Sequence, residues 1–163
     1  MAKYAAATGV PAERSRNEIE RTLTRFGATA FAYGWSADRS FAQIMFEMGG
    51  RRIRFSLPLP DRSDKAFTHS PSGSRRTETS MRAAYDQEVR RLWRSLLLVI
   101  KAKLEAVATG IVSAEEEFLA HVVLPSGETV GDWVEPQLKA VYGRGDMPAL
   151  LPGSDRACRA TSR

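Results

Sequence analysis

The sequence predicts an α+β fold: a short N-terminal helix, a three-stranded antiparallel meander, one long amphipathic helix and a smaller helical C-terminal part. Three observations indicate it. A helical apolar pattern stops at Gly27, two alternating segments flank the Gly49-Gly50 pair, and a long apolar stripe at helical spacing runs to Gly110. The 163 residues suit a single domain, which we place at residues 15–142.

The first helix is predicted to begin at Ser15, after a loose arm over residues 1–14. Ser15 and Glu18 have the spacing of a capping box, in which each side chain accepts a hydrogen bond from the other residue's backbone N–H. Apolar residues follow at i, i+4 and i+7 from Ile19, and Gly27 supplies the left-handed conformation that ends a helix.

Three strands are predicted next, over Thr29–Trp35, Phe41–Met48 and Arg51–Leu57. Gly49-Gly50 suits a two-residue type I′ turn, because both of its positions need positive φ. That turn fixes the register of the last two strands and gives them one apolar and one polar, basic face. The apolar pairs are Phe46 with Ile53, Ile44 with Phe55 and Ala42 with Leu57, and the polar pairs are Glu47 with Arg52, Met45 with Arg54 and Gln43 with Ser56.

Pro58 and Pro60 end the sheet, because proline cannot donate to the strand ladder. Residues 61–80, rich in Ser, Thr, Arg and Gly, are expected to form a mobile loop. Met81–Thr109 is predicted to be the long helix. Lys103 lies within its apolar stripe, where it would extend to solvent, pair with a carboxylate or point into a groove.

Two shorter helices are predicted in the C-terminal part. Ser113 and Glu116 form a second capping-box pattern at the start of the first. The second covers Thr129–Tyr142, with Pro136 either near its first turn or at a kink. Residues 143–163, in which Gly, Pro, Arg and Ser dominate, are expected to be a loose tail.

The net charge of +5 is unevenly distributed along the chain. Residues 1–110 hold 19 Lys and Arg against 11 Asp and Glu, whereas residues 111–142 hold one Lys against six Asp and Glu. A basic body beside an acidic lobe favours a polyanionic partner. Alternatively, the acidic lobe mimics an anion and competes for the basic face. A solvated surface of mixed charge remains the alternative.

The long helix carries a predicted basic stripe. Arg90, Arg94 and Lys101 share one side of it, opposite the apolar face, with Arg91 nearby. Such a stripe suits a phosphate backbone, which is bound without regard to sequence. The alternative is an ordinary solvated helix face, on which Lys101 pairs with Glu105 one turn later.

A second candidate surface lies on the sheet. Arg52 and Arg54 share their face with Phe41, and Tyr33 and Trp35 join them if the first strand is oriented the same way. Arginines and aromatic rings on an open sheet form a stacking platform for single-stranded nucleic acid. If the aromatic residues of the first strand instead face the helices, they belong to the core.

Residues that would support catalysis are few. The sequence holds neither G-x-x-x-x-G-K-[ST] nor G-x-G-x-x-G, and Cys158 lies far from both histidines. Glu117 and His121 are spaced i, i+4 on a helix, but a metal site needs more ligands than these two. We therefore expect no metal, no cofactor and no enzymatic activity. Without a signal peptide or membrane span in the sequence, we expect a cytoplasmic protein.

The segments VPAERSRNEIERTLTRFGA (10–28), FEMGGRRIRFSLPLP (46–60) and EEEFLAHVVLPSGETVGDW (115–133) resemble small uncharacterised proteins of bacteriophage and prophage genomes. The resemblance covers most of residues 10–152 and implies a phage origin and a bacterial host cell, with no activity or site residues. The order of helix, meander and long basic helix is similar, at the level of fold alone, to the core of Rad52-like single-strand annealing proteins, which form rings and hold DNA in a basic groove.

These patterns favour a phage-type, non-enzymatic nucleic-acid-binding protein that prefers single strands, acts in recombination or replication and forms homo-oligomers. The alternative is an adaptor or inhibitor of a host defence factor that works through its acidic lobe. A third hypothesis is a small enzyme that uses Glu117 and His121. The acidic lobe comprises Glu115, Glu116, Glu117, Glu128, Asp132 and Glu135.

Overall fold

The computed structural model describes residues 12–145. Within that range the chain forms five α-helices and one three-stranded antiparallel sheet, which confirms the predicted α+β class and the order of its elements. The elements are α1 (Ala12–Arg25), β1 (Ala30–Trp35), β2 (Phe41–Met48), β3 (Arg51–Pro58), α2 (Lys65–Thr68), α3 (Glu78–Ala108), α4 (Ala114–Phe118), a 3₁₀ helix (Leu119–His121) and α5 (Val130–Arg144).

The sheet is a meander in the order β1-β2-β3. All six residue pairs predicted between β2 and β3 are present, and Gly49 and Gly50 both have positive φ, at 59° and 71°. The two-residue turn therefore sets the register as the alternating pattern predicts.

The first strand continues the same alternation. Tyr33 lies opposite Ile44 and Trp35 opposite Ala42 in the β1–β2 register. Because residues directly opposite each other share a face, the aromatic side chains of β1 lie on the apolar side of the sheet. Helices α1 and α3 pack on that side and complete the core. The buried core residues are Ile19, Leu23, Ala42, Ile44, Phe46, Ile53, Phe55, Leu57, Trp93, Leu96, Leu97, Ile100, Leu104 and Phe118.

Helix α1 already includes Ala12, so residues 12–14 belong to the folded part, and the capping box predicted at Ser15 is wrong. Ser15 is completely buried inside the helix, and its hydroxyl has no partner among the described residues. Glu18 reaches away from the helix start, toward Arg94 and Lys101. Contacts with α3 have overridden the local signal. Residues 1–11 of the predicted arm lie outside the described residues.

The segment 61–80, predicted as a loop, contains secondary structure. The Asp64 side chain accepts a hydrogen bond from Ala66 N at 3.0 Å and caps the short helix α2. The ring of Phe67 on α2 is buried against Tyr85, with centroids 5.7 Å apart. The long helix then starts at Glu78, after Thr77 as its N-cap, rather than at Met81. The buried ring of Phe67 thus packs the segment against α3.

The C-terminal part covers the outer edge of β3. Val123 N donates to Arg52 O at 2.8 Å, and Val122 forms an antiparallel bridge with Ile53. The predicted capping box at Ser113 is present. Helix α5 starts with another capping box, formed by Thr129 and Asp132.

Helix α5 packs against the 3₁₀ helix through a close backbone approach. A Cβ atom at Gly131 would lie 2.8 Å from the Ala120 carbonyl oxygen, so this position needs glycine. Pro136 lies in the helix interior, beyond the first turn where proline is best tolerated. The helix ends at Arg144, with Gly145 in the left-handed conformation, so the predicted tail starts two residues too early. Residues 146–163 lie outside the described residues.

No helix among the described residues is long and apolar enough to cross a membrane.

Candidate nucleic-acid interface

The predicted stacking platform is divided between the two faces of the sheet. Tyr33 and Trp35 lie on the apolar, helix-covered face, whereas Arg52 and Arg54 lie on the other. Phe41 shares the face of the arginines, but it pairs with Pro58 at the opposite end of the hairpin from Arg52. The five side chains do not form one surface, so the platform as predicted is wrong.

The hairpin arginines have structural partners. Arg54 donates from Nη1 to the Gly127 carbonyl oxygen at 2.8 Å and from Nη2 to Asp132 Oδ2 at 3.3 Å, which ties the C-terminal part to β3. Arg52 is exposed and lies 3.5 Å from the carboxylate of Glu47 on the neighbouring strand. Arg54 therefore holds two parts of the fold together.

The aromatic residues of β1 surround a different arginine. The Arg16 guanidinium lies over the rings of Tyr33, Trp35 and Trp93, with its carbon 5.1 to 5.4 Å from each centroid. Each contact is within the range of a cation–π interaction. Tyr33 and Trp35 nonetheless stay 49% and 43% exposed, because β1 is the outermost strand on its side.

The basic stripe of α3 was predicted to lie open to solvent or to a ligand. In the structure it faces α1. Arg94 lies 3.3 Å from the Glu18 carboxylate, and Lys101 donates a short hydrogen bond to the other oxygen of Glu18. Arg90 donates to Gln87 at 2.7 Å on its own helix. Arg94 and Lys101 thus join the two helices, whereas the hydrogen bond of Arg90 is within α3.

Arg91, the fourth basic residue predicted on α3, pairs with Glu88. Its Nε donates to one carboxylate oxygen at 2.8 Å and its Nη2 to the other at 2.5 Å. This bidentate pair raises the pKa of Arg91. Glu88 therefore compensates the charge of Arg91 within α3.

Glu18 is at the centre of the charge cluster. Its pKa is lowered, first by the hydrogen bond from Lys101 and then by the positive charges of Lys101, Arg94 and Arg14, while burial opposes them. The carboxylate therefore stays ionised and pairs with cations from both helices.

A second basic stripe, absent from the sequence-based predictions, lies on α1. Arg14, Arg21 and Arg25 follow at spacings of seven and four residues, which places them within about 40° of one another on the helix. All three are exposed, and none has an ion pair or hydrogen bond to another described residue. Their helical angles identify them from the sequence in the same way as those of the α3 stripe.

Because Glu18 lies on the same side of α1, these arginines border the contact with α3. We call this surface the basic seam. It consists of Arg14, Arg21 and Arg25 from α1 and of Arg90, Arg94 and Lys101 from α3, with Glu18 at its centre.

The acidic lobe offers fewer free carboxylates than its composition indicates. Asp132 pairs with Arg54 and Glu135 with Lys139, and the Glu116 side chain caps α4. Lys103, which we expected to extend, pair or point into a groove, pairs with Glu117 at 2.7 Å.

The residues proposed for the small enzyme have other partners. The His121 ring stacks on Phe55 with centroids 4.0 Å apart, and Glu117 is paired with Lys103. Within residues 12–145, no three His, Cys, Asp or Glu side chains come together as metal ligands would. The pair Glu117 and His121 has no further ligand near it in this range.

No protein-family model matches the chain, and neither a curated protein nor a solved structure matches it. The resemblance to phage proteins accordingly remains a prediction from the sequence.

Proposed function

We propose that this protein binds nucleic acid through the basic seam, without catalysing a reaction on it. The observation that carries the proposal is the arrangement of the seam, in which Glu18 pairs with Arg94 and Lys101 of α3 and three exposed arginines follow the same side of α1. Glu18 compensates part of the charge of Arg94 and Lys101, whereas the three α1 arginines of the seam form no ion pair with another described residue.

The dimensions of the seam suit a phosphate backbone. Arg14 and Arg25 are eleven residues apart on α1, which corresponds to about 16 Å along the helix. A DNA duplex presents about one charge for every 1.7 Å of its axis, so a helix of this length faces several phosphates. Exposed arginines that contact them release counterions, and this gives affinity that falls steeply with salt and depends little on sequence.

The proposal replaces the binding residues predicted on the hairpin. Arg54 is engaged by Gly127 and Asp132, and Tyr33 and Trp35 lie on the other side of the sheet. The predicted preference for single strands depended on that shared platform, so it no longer has a structural basis. The phage origin and the role in recombination or replication remain predictions from the resemblance.

Fluorescence anisotropy with labelled single- and double-stranded oligonucleotides over a series of salt concentrations tests the proposal. Replacing two seam residues, Arg14→Gln with Arg21→Gln, is expected to weaken binding by roughly tenfold or more in low salt. The slope of log K against log salt should fall by about one for each lost phosphate contact. Both residues are exposed and neither forms an ion pair or hydrogen bond to another described residue, so the fold is expected to persist.

A matched control removes the same charge from the hairpin. The variant Arg51→Gln with Arg52→Gln also replaces two exposed arginines, and we expect its affinity to stay within about twofold of the parent protein. If the hairpin variant loses affinity and the seam variant keeps it, the seam is not the binding surface. Absence of binding to any oligonucleotide in low salt would contradict nucleic-acid binding altogether.

An adaptor or inhibitor of a host protein is the second candidate. The observation that favours it is the surface of α5, where Trp133, Leu138 and Tyr142 are 43% to 88% exposed. Apolar residues of this size on one helix are typical of protein-contact surfaces. Replacing Trp133 and Tyr142 with Ser would abolish inhibition or partner binding under this hypothesis and would leave oligonucleotide affinity unchanged.

A further inference from the structure

The two outer edges of the sheet differ in their cover. On the β3 edge, the outward carbonyl of Arg52 accepts a hydrogen bond from Val123 N, and the 3₁₀ helix packs beside the strand. Strand β1 pairs with β2 on its inner side, and no other described residue forms a bridge to it. A strand that pairs on one side only presents unpaired N–H and C=O groups on the other.

The register shows which backbone groups point outward from β1. Ser36 N donates to Phe41 O at 3.0 Å, so this pair is of the hydrogen-bonded type. Hydrogen-bonded and non-bonded pairs alternate along an antiparallel ladder. Phe31, Tyr33 and Trp35 therefore direct their N–H and C=O groups away from β2, toward the free edge.

Edge strands are usually protected from pairing by their own residues, but the sequence of β1 lacks these protective features. Its six residues, AFAYGW, include no charge and no proline, which are the residues that commonly prevent edge-to-edge contact. The residues between the aromatic ones, Ala32 and Gly34, are small and leave the other face of the strand flat. The edge is therefore suited to accept another strand.

We propose that β1 pairs with β1 of a second copy of this chain, in antiparallel orientation about Tyr33, to form one continuous sheet. Because the arrangement has twofold symmetry, each outward N–H meets an outward C=O of the other copy. Tyr33 then lies opposite the Tyr33 of the second copy, and Phe31 lies opposite its Trp35.

The side chains along β1 match this self-pairing. Cross-strand pairs of aromatic residues stabilise antiparallel sheets, and both pairs would lie on the half-exposed, helix-covered face. On the other face, Ala32 would lie opposite Gly34 of the second copy without steric conflict. Arg16, the cation nearest these rings, is paired with Glu13 at 3.1 Å, which reduces repulsion between the two copies.

Light scattering after size exclusion, over a wide range of protein concentration and without nucleic acid, tests the proposal. We expect a dimer that dissociates with a Kd on the order of micromolar, as suits a small interface. Leaving nucleic acid out keeps this result separate from the proposed binding function. A monomer at every concentration, including a monomer that binds an extended peptide at β1, would overturn the proposal.

The variant Tyr33→Pro removes the central outward N–H and leaves the bonds between β1 and β2 intact, because proline is tolerated where the N–H points away from the sheet. It should be monomeric with an unchanged circular dichroism spectrum. The matched variant Tyr33→Thr keeps the N–H and should still dimerise, with weaker affinity. A dimer that Tyr33→Pro leaves intact would contradict the pairing.

Cysteine cross-linking tests the register without relying on proline. In a Cys158→Ser background, Tyr33→Cys should form a disulfide-linked dimer, since Cα atoms of a hydrogen-bonded pair are about 5.5 Å apart. The control Ala32→Cys should not cross-link, because the two copies of residue 32 would be diagonal neighbours roughly 7 to 8 Å apart. Cross-linking at 32 and not at 33 would overturn the proposed register.

Discussion

The basic seam between α1 and α3 and the outer face of the β2–β3 hairpin are both rich in arginine, but their arginines have different roles. Arg54 on the hairpin has specific acceptors in the C-terminal part and holds that part in place. Arg14 and Arg21 in the seam have no such acceptor among the described residues. Equal local charge in a sequence therefore does not mean equal availability for a ligand, because the fold decides which cations meet an acceptor.

The largest effect on stability is expected on the hairpin, where an arginine has a structural role. Arg54→Ala removes two hydrogen bonds to the C-terminal part and should lower the free energy of unfolding by about 1–2 kcal/mol. Its oligonucleotide affinity should stay close to that of the parent protein. Urea denaturation together with anisotropy measures both quantities.

The matched control for this variant is Arg51→Ala. Arg51 is exposed and has no acceptor among the described residues, so its loss should change stability by less than about 0.5 kcal/mol. If Arg54→Ala weakens nucleic-acid binding and leaves stability unchanged, the two arginine-rich surfaces do not differ as proposed.

The hairpin could be predicted to the residue, whereas the contact that joins the two helices of the seam could not. Alternation and the Gly49-Gly50 turn act over a few positions, so the sequence contains the full information for that register. The partners of Glu18 are 76 and 83 residues away, and no local pattern connects them. The capping box assigned to Ser15 was wrong for the same reason, since packing against α3 determines where Glu18 points.

A second prediction concerns the carboxylate at the centre of the seam. Glu18→Gln frees Arg94 and Lys101 for phosphates, so affinity for oligonucleotide should rise several-fold. The three side chains are 31% to 39% exposed, so the lost pairs should lower stability by only about 0.5–1 kcal/mol.

Asp132→Asn is the matched control on the hairpin side, because it removes one carboxylate paired with an arginine. This variant should leave oligonucleotide affinity unchanged. If both variants raise affinity equally, net charge rather than the seam determines binding. If Glu18→Gln lowers affinity, Glu18 positions its cations for the ligand and does not compete with it.

The smallest effect is a pH dependence at the junction of the hairpin and the C-terminal part. The pKa of His121 is lowered from its usual 6.5, first by burial and then by the positive charge of Lys103. A hydrogen bond to the Arg54 backbone and the negative charge of Glu117 oppose the shift. The unfolded chain then binds a proton more readily than the folded one. The contribution of His121 to stability is full above pH 6.5 and is lost as the pH falls below it.

Urea denaturation between about pH 8 and about pH 5.5 measures this loss, because most carboxyl groups titrate below that window. In His121→Phe an aromatic ring can still stack on Phe55 but cannot be protonated, so the decline in stability should be smaller than in the parent protein. Equal declines in both proteins would show that His121 is not the titrating group.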